Sequence, residues 1–313
     1  MSGLDNPRGL AFGPEGALYV AEAGRGGDGP CIFLRGAHQC YGPTGAISRL
    51  WHGQQQRVVT GLPSYGSVGA TGPHDVGFSG RTGYVTIGLG LEGMPRSAFA
   101  VGDQFGWLLR FTPNGHVQRY ADLAAYEFAN NPDGGPTDSQ PYGLLVQPGG
   151  QLVAEAGGND LIGVTDGQIS TLAVFPSRPQ GRPTDAVPTA VVLGADGAYY
   201  VSELTGVPFA AAAANIYRVV PGHAPIVVLS AFTTVIDIAF GPDGSLYVLE
   251  HSTGPVFFGM PGRLLKIAPD GTRTTVIDGL TRPGSVLVGP HGELYVSNRG
   301  ISVGTGEVLR IEP

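Results

Sequence analysis

One pattern recurs six times along this chain, and it decides what the chain can fold into. A short apolar run, opening on or near proline, leads through a tight turn into a second run that in most copies ends on an acid. The copies are Pro7–Phe12 with Leu18–Glu22, residues 73–78 with 84–87, residues 141–144 with 152–155, Pro188–Leu193 with Tyr199–Glu203, Val235–Phe240 with Leu246–Glu250, and residues 283–288 with Leu294–Asn298. The linking turns, such as Gly13-Pro14-Glu15-Gly16 and Gly241-Pro242-Asp243-Gly244, have the Pro and Gly that β-turn dihedrals favour. Each unit therefore opens with a hairpin. Two further strand-like runs follow, for example residues 46–51 and 56–59 or 263–267 and 273–277, giving four strands per unit. Six four-stranded units predict an all-β, six-bladed propeller occupying residues 1–313, with blades starting near 7, 73, 141, 188, 235 and 283.

Composition agrees with that architecture. The 52 glycines and 26 prolines are spread between short Val, Leu, Tyr and Phe runs, which is the signature of many strands and turns rather than of disorder. No apolar stretch is long enough to span a membrane as a helix. Net charge is −7, and the 18 basic side chains, only one of them lysine (Lys266), form no stripe, which argues against a nucleic-acid partner. The first two units are longer than the rest. The excess falls in segments 23–45, 88–105 and 122–140, which propeller wiring brings out on one face, where long loops on a rigid scaffold place binding sites. Cys31 and Cys40, nine apart in the first of these segments, suit a local disulfide and an oxidising compartment better than a metal site; two free thiols in a cytosolic protein is the other reading.

The last unit supplies three strands before the chain ends, so ring closure must use the N-terminus. Ser2-Gly3-Leu4 matches Thr60-Gly61-Leu62 and Asp278-Gly279-Leu280, the ends of fourth strands, but nothing matches Arg57-Val58-Val59. Native residues upstream of Met1 are accordingly expected to be missing, leaving the last blade with a short edge.

Several motifs together resemble the ScyD/ScyE family of bacterial propellers: Leu4-Asp5-Asn6-Pro7-Arg8-Gly9, the run from Ala21-Glu22 to Pro30-Cys31, Thr71-Gly72-Pro73-His74-Asp75, Asn130-Asn131-Pro132-Asp133, Ala156-Gly157-Gly158-Asn159-Asp160, and the ending from Gly304 to Ile311. The resemblance covers nearly the whole chain. It implies a propeller and an exported setting, secreted or periplasmic with a signal peptide removed, more firmly than it implies a reaction. Wider propeller relatives include gluconolactonases, strictosidine synthase-like enzymes and NHL-repeat binding modules, and fold alone does not choose among them.

Candidate sites come from comparing the units. The residue after the opening proline should face the funnel mouth, and it differs in every blade: Arg8, His74, Tyr142, Thr189, Ile236 and Gly284. Gluconolactonase-like enzymes place carboxylate and amide metal ligands there, and neither type is present. Arg8, His74 and Tyr142 make a donor-rich arc suited to an anionic or phenolic ligand, or to proton transfer by His74; closing the channel by hydrogen bonds is the alternative. One position on, Asp75 and Asp237 replace small residues in opposite blades, where they would share a cation or a proton, or make local strand-start bonds. Glu22, Glu155, Glu203 and Glu250 end the second strands of four blades; such a ring would suit Ca²⁺ or Mg²⁺, or would accept backbone hydrogen bonds within the propeller. Phe209, Phe257, Phe258 and Met260 offer apolar surface on the upper loops. No nucleophile elbow, phosphate-binding loop or dinucleotide fingerprint is present. The sequence thus points to a propeller that binds, or binds and transforms, an aromatic small molecule in its upper funnel. A non-enzymatic scaffold docking a protein is the second reading, and a lactonase-like hydrolase or quinoprotein dehydrogenase the third.

Overall fold

Each of the six repeats folds into a four-stranded antiparallel sheet in the computed structural model, which describes residues 1–66, 69–180, 182–254 and 259–312. Blade 1 is Pro7–Phe12, Leu18–Glu22, Ala37–Trp51 and Gln54–Tyr65; blade 2 is Pro73–Ser79, Thr82–Ile87, Trp107–Phe111 and Val117–Asp122; blade 3 is Pro141–Gln147, Gly150–Glu155, Asp160–Thr165 and Gln168–Val174. Blade 4 is Pro188–Leu193, Tyr199–Glu203, Ala214–Val219 and Ile226–Phe232, and blade 5 is Val235–Phe240, Leu246–Glu250, Gly262–Ile267 and Arg273–Leu280. Blade 6 combines Ser285–Val288, Leu294–Asn298 and Gly306–Ile311 with Ser2–Leu4 from the other end of the chain. The first strands pack side by side around the axis.

Burial explains why the ring holds. Six apolar clusters stand at the six blade interfaces, because each sheet is apolar on both faces where its neighbours cover it. Tyr19, Ile47 and Val59 of blade 1, for instance, share a cluster with Val85, Leu109 and Phe111 of blade 2. At the closing seam, fully buried Leu4 joins Leu10, Leu18, Val20 and Val308. Ser2 pairs with Glu307 and Leu4 with Gly306, while Met1 and Val308 exchange backbone bonds of 3.2 and 3.0 Å. The N-terminus therefore closes the ring, through a strand of only three residues.

Two segments differ from the sequence expectation. The third strand of blade 1 begins at Ala37, well before residue 46, and pairs with Cys31–Leu34 as well as with the fourth strand, so much of the 23–45 segment is sheet. Cys31 stands opposite Cys40 in that extension, and the two are joined as a disulfide. Segment 122–140 contains a helix, Leu123–Asn130, capped by the Asp122 carboxylate, which accepts from the Ala125 N–H at 3.0 Å, and ended by Asn131 in the left-handed region. Its Leu-Ala-Ala-Tyr-Glu-Phe-Ala run is favourable for helix, but it interrupts a repeat made otherwise of strands. Segment 88–105 extends the core between blades 1 and 2, with Leu89, Leu91, Phe99 and Phe105 in the same cluster as Tyr65, and Phe99 and Phe105 both against the Tyr65 ring.

Candidate functional site

The channel mouth is shaped by an irregularity that repeats. In blades 1 to 5 the ladder between first and second strands slips just after its first residue, at Pro7/Leu10, Pro73/Asp75, Pro141/Leu144, Pro188/Ala190 and Val235/Asp237. Within those slips lie Arg8, His74, Tyr142, Thr189 and Ile236. A bulge takes its residue out of the ladder and re-aims the side chain. In blade 6, Gly284 directly precedes Ser285–Val288.

Arg8, His74 and Tyr142 come together. The His74 and Tyr142 rings lie 4.6 Å apart between centroids, and the Arg8 charge acts on both. Arg8 donates to the carbonyls of Gly300 (2.7 Å) and Ala70 (3.2 Å), tying blade 6 loops to those between blades 1 and 2, while its Nε–H is buried with no acceptor. His74 Nδ1 is 3.1 Å from the Pro141 carbonyl, which can only accept, so Nδ1 carries the proton. Burial, then the Arg8 charge, depresses the His74 pKa to about 3, leaving the ring neutral. Arg8 and His74 are 7% and 3% exposed, and Tyr142 is partly exposed. Thr189 is buried and donates to the Val235 carbonyl at 2.9 Å. Phe209 and Tyr142 both pack against the buried cluster that holds Leu204 and Ile236, which gives the mouth an apolar wall. Phe257 and Phe258 lie outside the described residues.

Asp75 and Asp237 each join two blades. Asp75 accepts from the Leu144 N–H of blade 3 at 2.7 Å; Asp237 accepts from the Val286 N–H at 2.9 Å and the Ser285 hydroxyl at 2.6 Å in blade 6. Burial and then the Asp237 charge push the Asp75 carboxyl well above its usual range, and burial pushes Asp237 up to about 6. Gly9 passes so close that a Cβ there would lie 1.9 Å from Asp75 Oδ1.

The acids ending the second strands tie each blade to neighbouring backbone. Glu22 accepts from the Asp5 N–H (2.7 Å), Glu155 from Gln140 (2.5 Å), Glu203 from Asn215 (2.7 Å) and Glu250 from Thr233 (2.7 Å); Asn298 does the same for Thr281 (2.8 Å). Arg57 neutralises Glu22 and Arg263 neutralises Glu250. Glu155 has no such partner among the described ion pairs, and burial raises it to about 8. These acids stand apart, one per blade. Among the described residues no three His, Cys, Asp or Glu side chains form a ready metal cage.

The sequence comparison missed three groups. His251, 2% exposed, places Nδ1 2.8 Å from the Pro283 carbonyl, matching His74 and Pro141 on the opposite side of the ring. Glu127 and Asp160, both fully buried, flank Glu155. Aligning blade 3 with blade 5 would have exposed Asp160, because it stands across from Glu155 where Arg263 stands across from Glu250. A cavity of about 140 Å³ is lined by Glu22 with Leu4, Ser48 and Arg57, and one of about 220 Å³ lies on blade 2 beside Tyr84 and Arg110; neither is lined by Arg8, His74 or Tyr142.

Four-stranded blades closed by the N-terminus, with a polar arc on bulged inner-strand starts, define the class: a six-bladed β-propeller with a candidate ligand site at the loop-covered end of its channel. No protein-family model matches the chain, and no curated protein does. Solved structures do. A putative oxidoreductase (glucose dehydrogenase) from Thermus thermophilus is 16% identical, with 100% of this chain and 98% of that one covered and a TM-score of 0.64. The soluble aldose sugar dehydrogenase of Escherichia coli, in its apo form, is 14% identical over the same shares, also at 0.64. A catalytically inactive virginiamycin B lyase from Staphylococcus aureus, solved with quinupristin, is 16% identical, covers 99% and 84%, and scores 0.55. At such identities the likeness establishes the propeller fold.

Proposed function

We propose that this chain is an exported propeller of the ScyD/ScyE kind whose upper channel mouth binds a small aromatic anion. Arg8, His74 and Tyr142 are its polar contacts and Phe209 its apolar one. The observation that carries the reading is the Arg8 Nε–H, buried in the mouth with no acceptor beside a neutral imidazole and a phenol. A buried donor without a partner is rare in folded proteins, and an incoming carboxylate or phenolate oxygen would satisfy it. Binding is favoured over acid–base catalysis, because a histidine held at about 3 is a weak base at neutral pH. The disulfide supports the exported setting. A protein-docking scaffold is the second reading, favoured by Val207, Met260 and Val303, which are 76%, 52% and 39% exposed on the upper loops of blades 4, 5 and 6.

Calorimetric titration with hydroxybenzoate and indole acetate, and with benzyl alcohol as the uncharged control, tests the proposal. The anions should bind and the alcohol should not. Arg8→Gln should weaken binding about ten- to hundredfold, the equivalent of a charged hydrogen bond worth ~1.5–3 kcal/mol. Equal affinity in the Arg8→Gln protein, or binding of neither anion, would sink the reading.

A further inference from the structure

Blade 3 inverts a charge that blade 5 keeps in balance. In blade 5, Glu250 stands opposite Arg263 across the ladder, and the two pair at 2.5 Å. In blade 3, Glu155 stands opposite Asp160. Residues opposite one another in adjacent strands put their side chains on the same face about 5 Å apart, so a buried acid here faces a second buried acid. The helix Leu123–Asn130 then adds a third. Glu127 is fully buried, and neither of its carboxylate oxygens has a hydrogen-bond partner. It rests directly over the turn at 156–159: a Cβ on Gly158 would meet its oxygens at 2.6 and 3.1 Å, and the Gly158 N–H donates to Glu155 at 2.6 Å. Asp160 is also fully buried, with Oδ2 held by Thr171 at 3.2 Å and Oδ1 without a partner. Asn131, at the end of the same helix, has a buried Oδ1 with no partner.

We propose that the space between this helix and the 156–159 turn of blade 3 is a divalent-cation site of the calcium type, with Glu127 and Asp160 as its charged ligands and Asn131 as a neutral one. Without a cation, both carboxylate oxygens of Glu127 and the Oδ1 of Asp160 stay buried with no hydrogen-bond partner beside a further buried acid, Glu155, and such an arrangement is costly unless it is paired. The donors are all oxygen, which excludes the softer metals. Because no three acidic side chains converge into a cage among the described residues, two carboxylates must be completed by amide, backbone and water oxygens. Calcium, with its 6–8 flexible ligands at about 2.3–2.6 Å, accepts such a set more readily than octahedral magnesium does. Glu155 is already engaged by Ser139, Gln140 and Gly158 and stays outside the shell. Through it the ion would be coupled to the mouth, since Gln140 also holds the Leu89 N–H at 2.7 Å and directly precedes Pro141 and Tyr142.

The test uses the whole chain stripped with EDTA and dialysed. Terbium should give tyrosine-sensitised luminescence, because the Tyr126 hydroxyl touches Thr171 at 3.1 Å and Thr171 touches Asp160. Calcium should quench that signal by competition and raise the melting temperature, with magnesium weaker at both. Glu127→Gln and Asp160→Asn should each weaken calcium at least about tenfold, as the loss of even an outer-shell partner does, whereas Asp270→Asn, on an exposed turn, should change nothing. The wild-type titration does not depend on whether the variants fold. If neither ion shifts the melt or competes with terbium, the three acids are protonated neighbours and the site is withdrawn. Binding unchanged in Glu127→Gln would also overturn it, as would magnesium displacing calcium.

Discussion

Replacing His251 with asparagine removes a titrating ring while leaving an N–H that can reach the Pro283 carbonyl, and this makes stability against pH a direct measure of how the channel treats imidazole. Burial dominates at His251, with the charges of Arg8 and Arg282 adding to it, and together they depress its pKa from 6.5 to about 3 despite the bond to Pro283. In the unfolded chain the ring takes a proton near pH 6.5. Between these two values the unfolded state holds the extra proton, so stability must fall as pH falls. The slope is about 1.4 kcal/mol per pH unit, which by pH 5 amounts to about 2 kcal/mol. Asparagine has no such transition, and the pH-independent cost of the substitution cancels out of the slope. Urea unfolding of wild type and His251→Asn at half-unit steps from pH 8 to 5 should give a stability difference that is level above about pH 7 and then moves against the wild type at that slope. A flat difference down to pH 5 would mean that the folded protein protonates His251 normally, and the account of His251 as a desolvated, neutral ring would be wrong.

Two further expectations concern the ring and its rim. Leu4→Ala, at a fully buried residue of the closing seam, should cost about 2–5 kcal/mol and speed hydrogen exchange along Gly306–Ile311; a melt and exchange pattern like wild type would show that the seam does not hold the ring. Cys31 and Cys40 should resist iodoacetamide in the native, unreduced protein by intact-mass analysis, and labelling of both would overturn the pairing.

The repeat made the architecture legible because every blade needs the same inner hairpin, and the same chemistry therefore had to be written six times. The closure at Ser2–Leu4 was readable for a related reason: a blade short of one strand must borrow it. The helix at Leu123–Asn130 was not readable this way, since it occurs once and its sequence competes with strand expectations on either side. The ring of Arg8, His74 and Tyr142 was found from position alone, but its burial was not. What decides burial is how the loops carrying Gly300 and Ala70 reach over Arg8, and such non-local contacts leave no periodic trace.

A comparison of equivalent positions separates scaffold from site more sharply than residue type does. A glutamate at the end of a second strand looks like a ligand wherever it is read alone, yet five of six blades use that position to hold a backbone N–H. The same holds for Asp75 and Asp237, and for the Nδ1–H of His74 and of His251, which bridge blades 2 to 3 and 5 to 6 on opposite sides of one axis and leave only Nε2 for other contacts. Residues that recur by symmetry are bound up in keeping the ring closed. The places where the symmetry fails have chemistry left over: Arg8, for which no other blade supplies a cation, and Asp160, an acid where blade 5 has Arg263. One leaves a buried donor without an acceptor and the other a buried carboxylate oxygen without a partner, and on these two local imbalances rest the proposals of an anion at the channel mouth and a cation at the blade 3 turn.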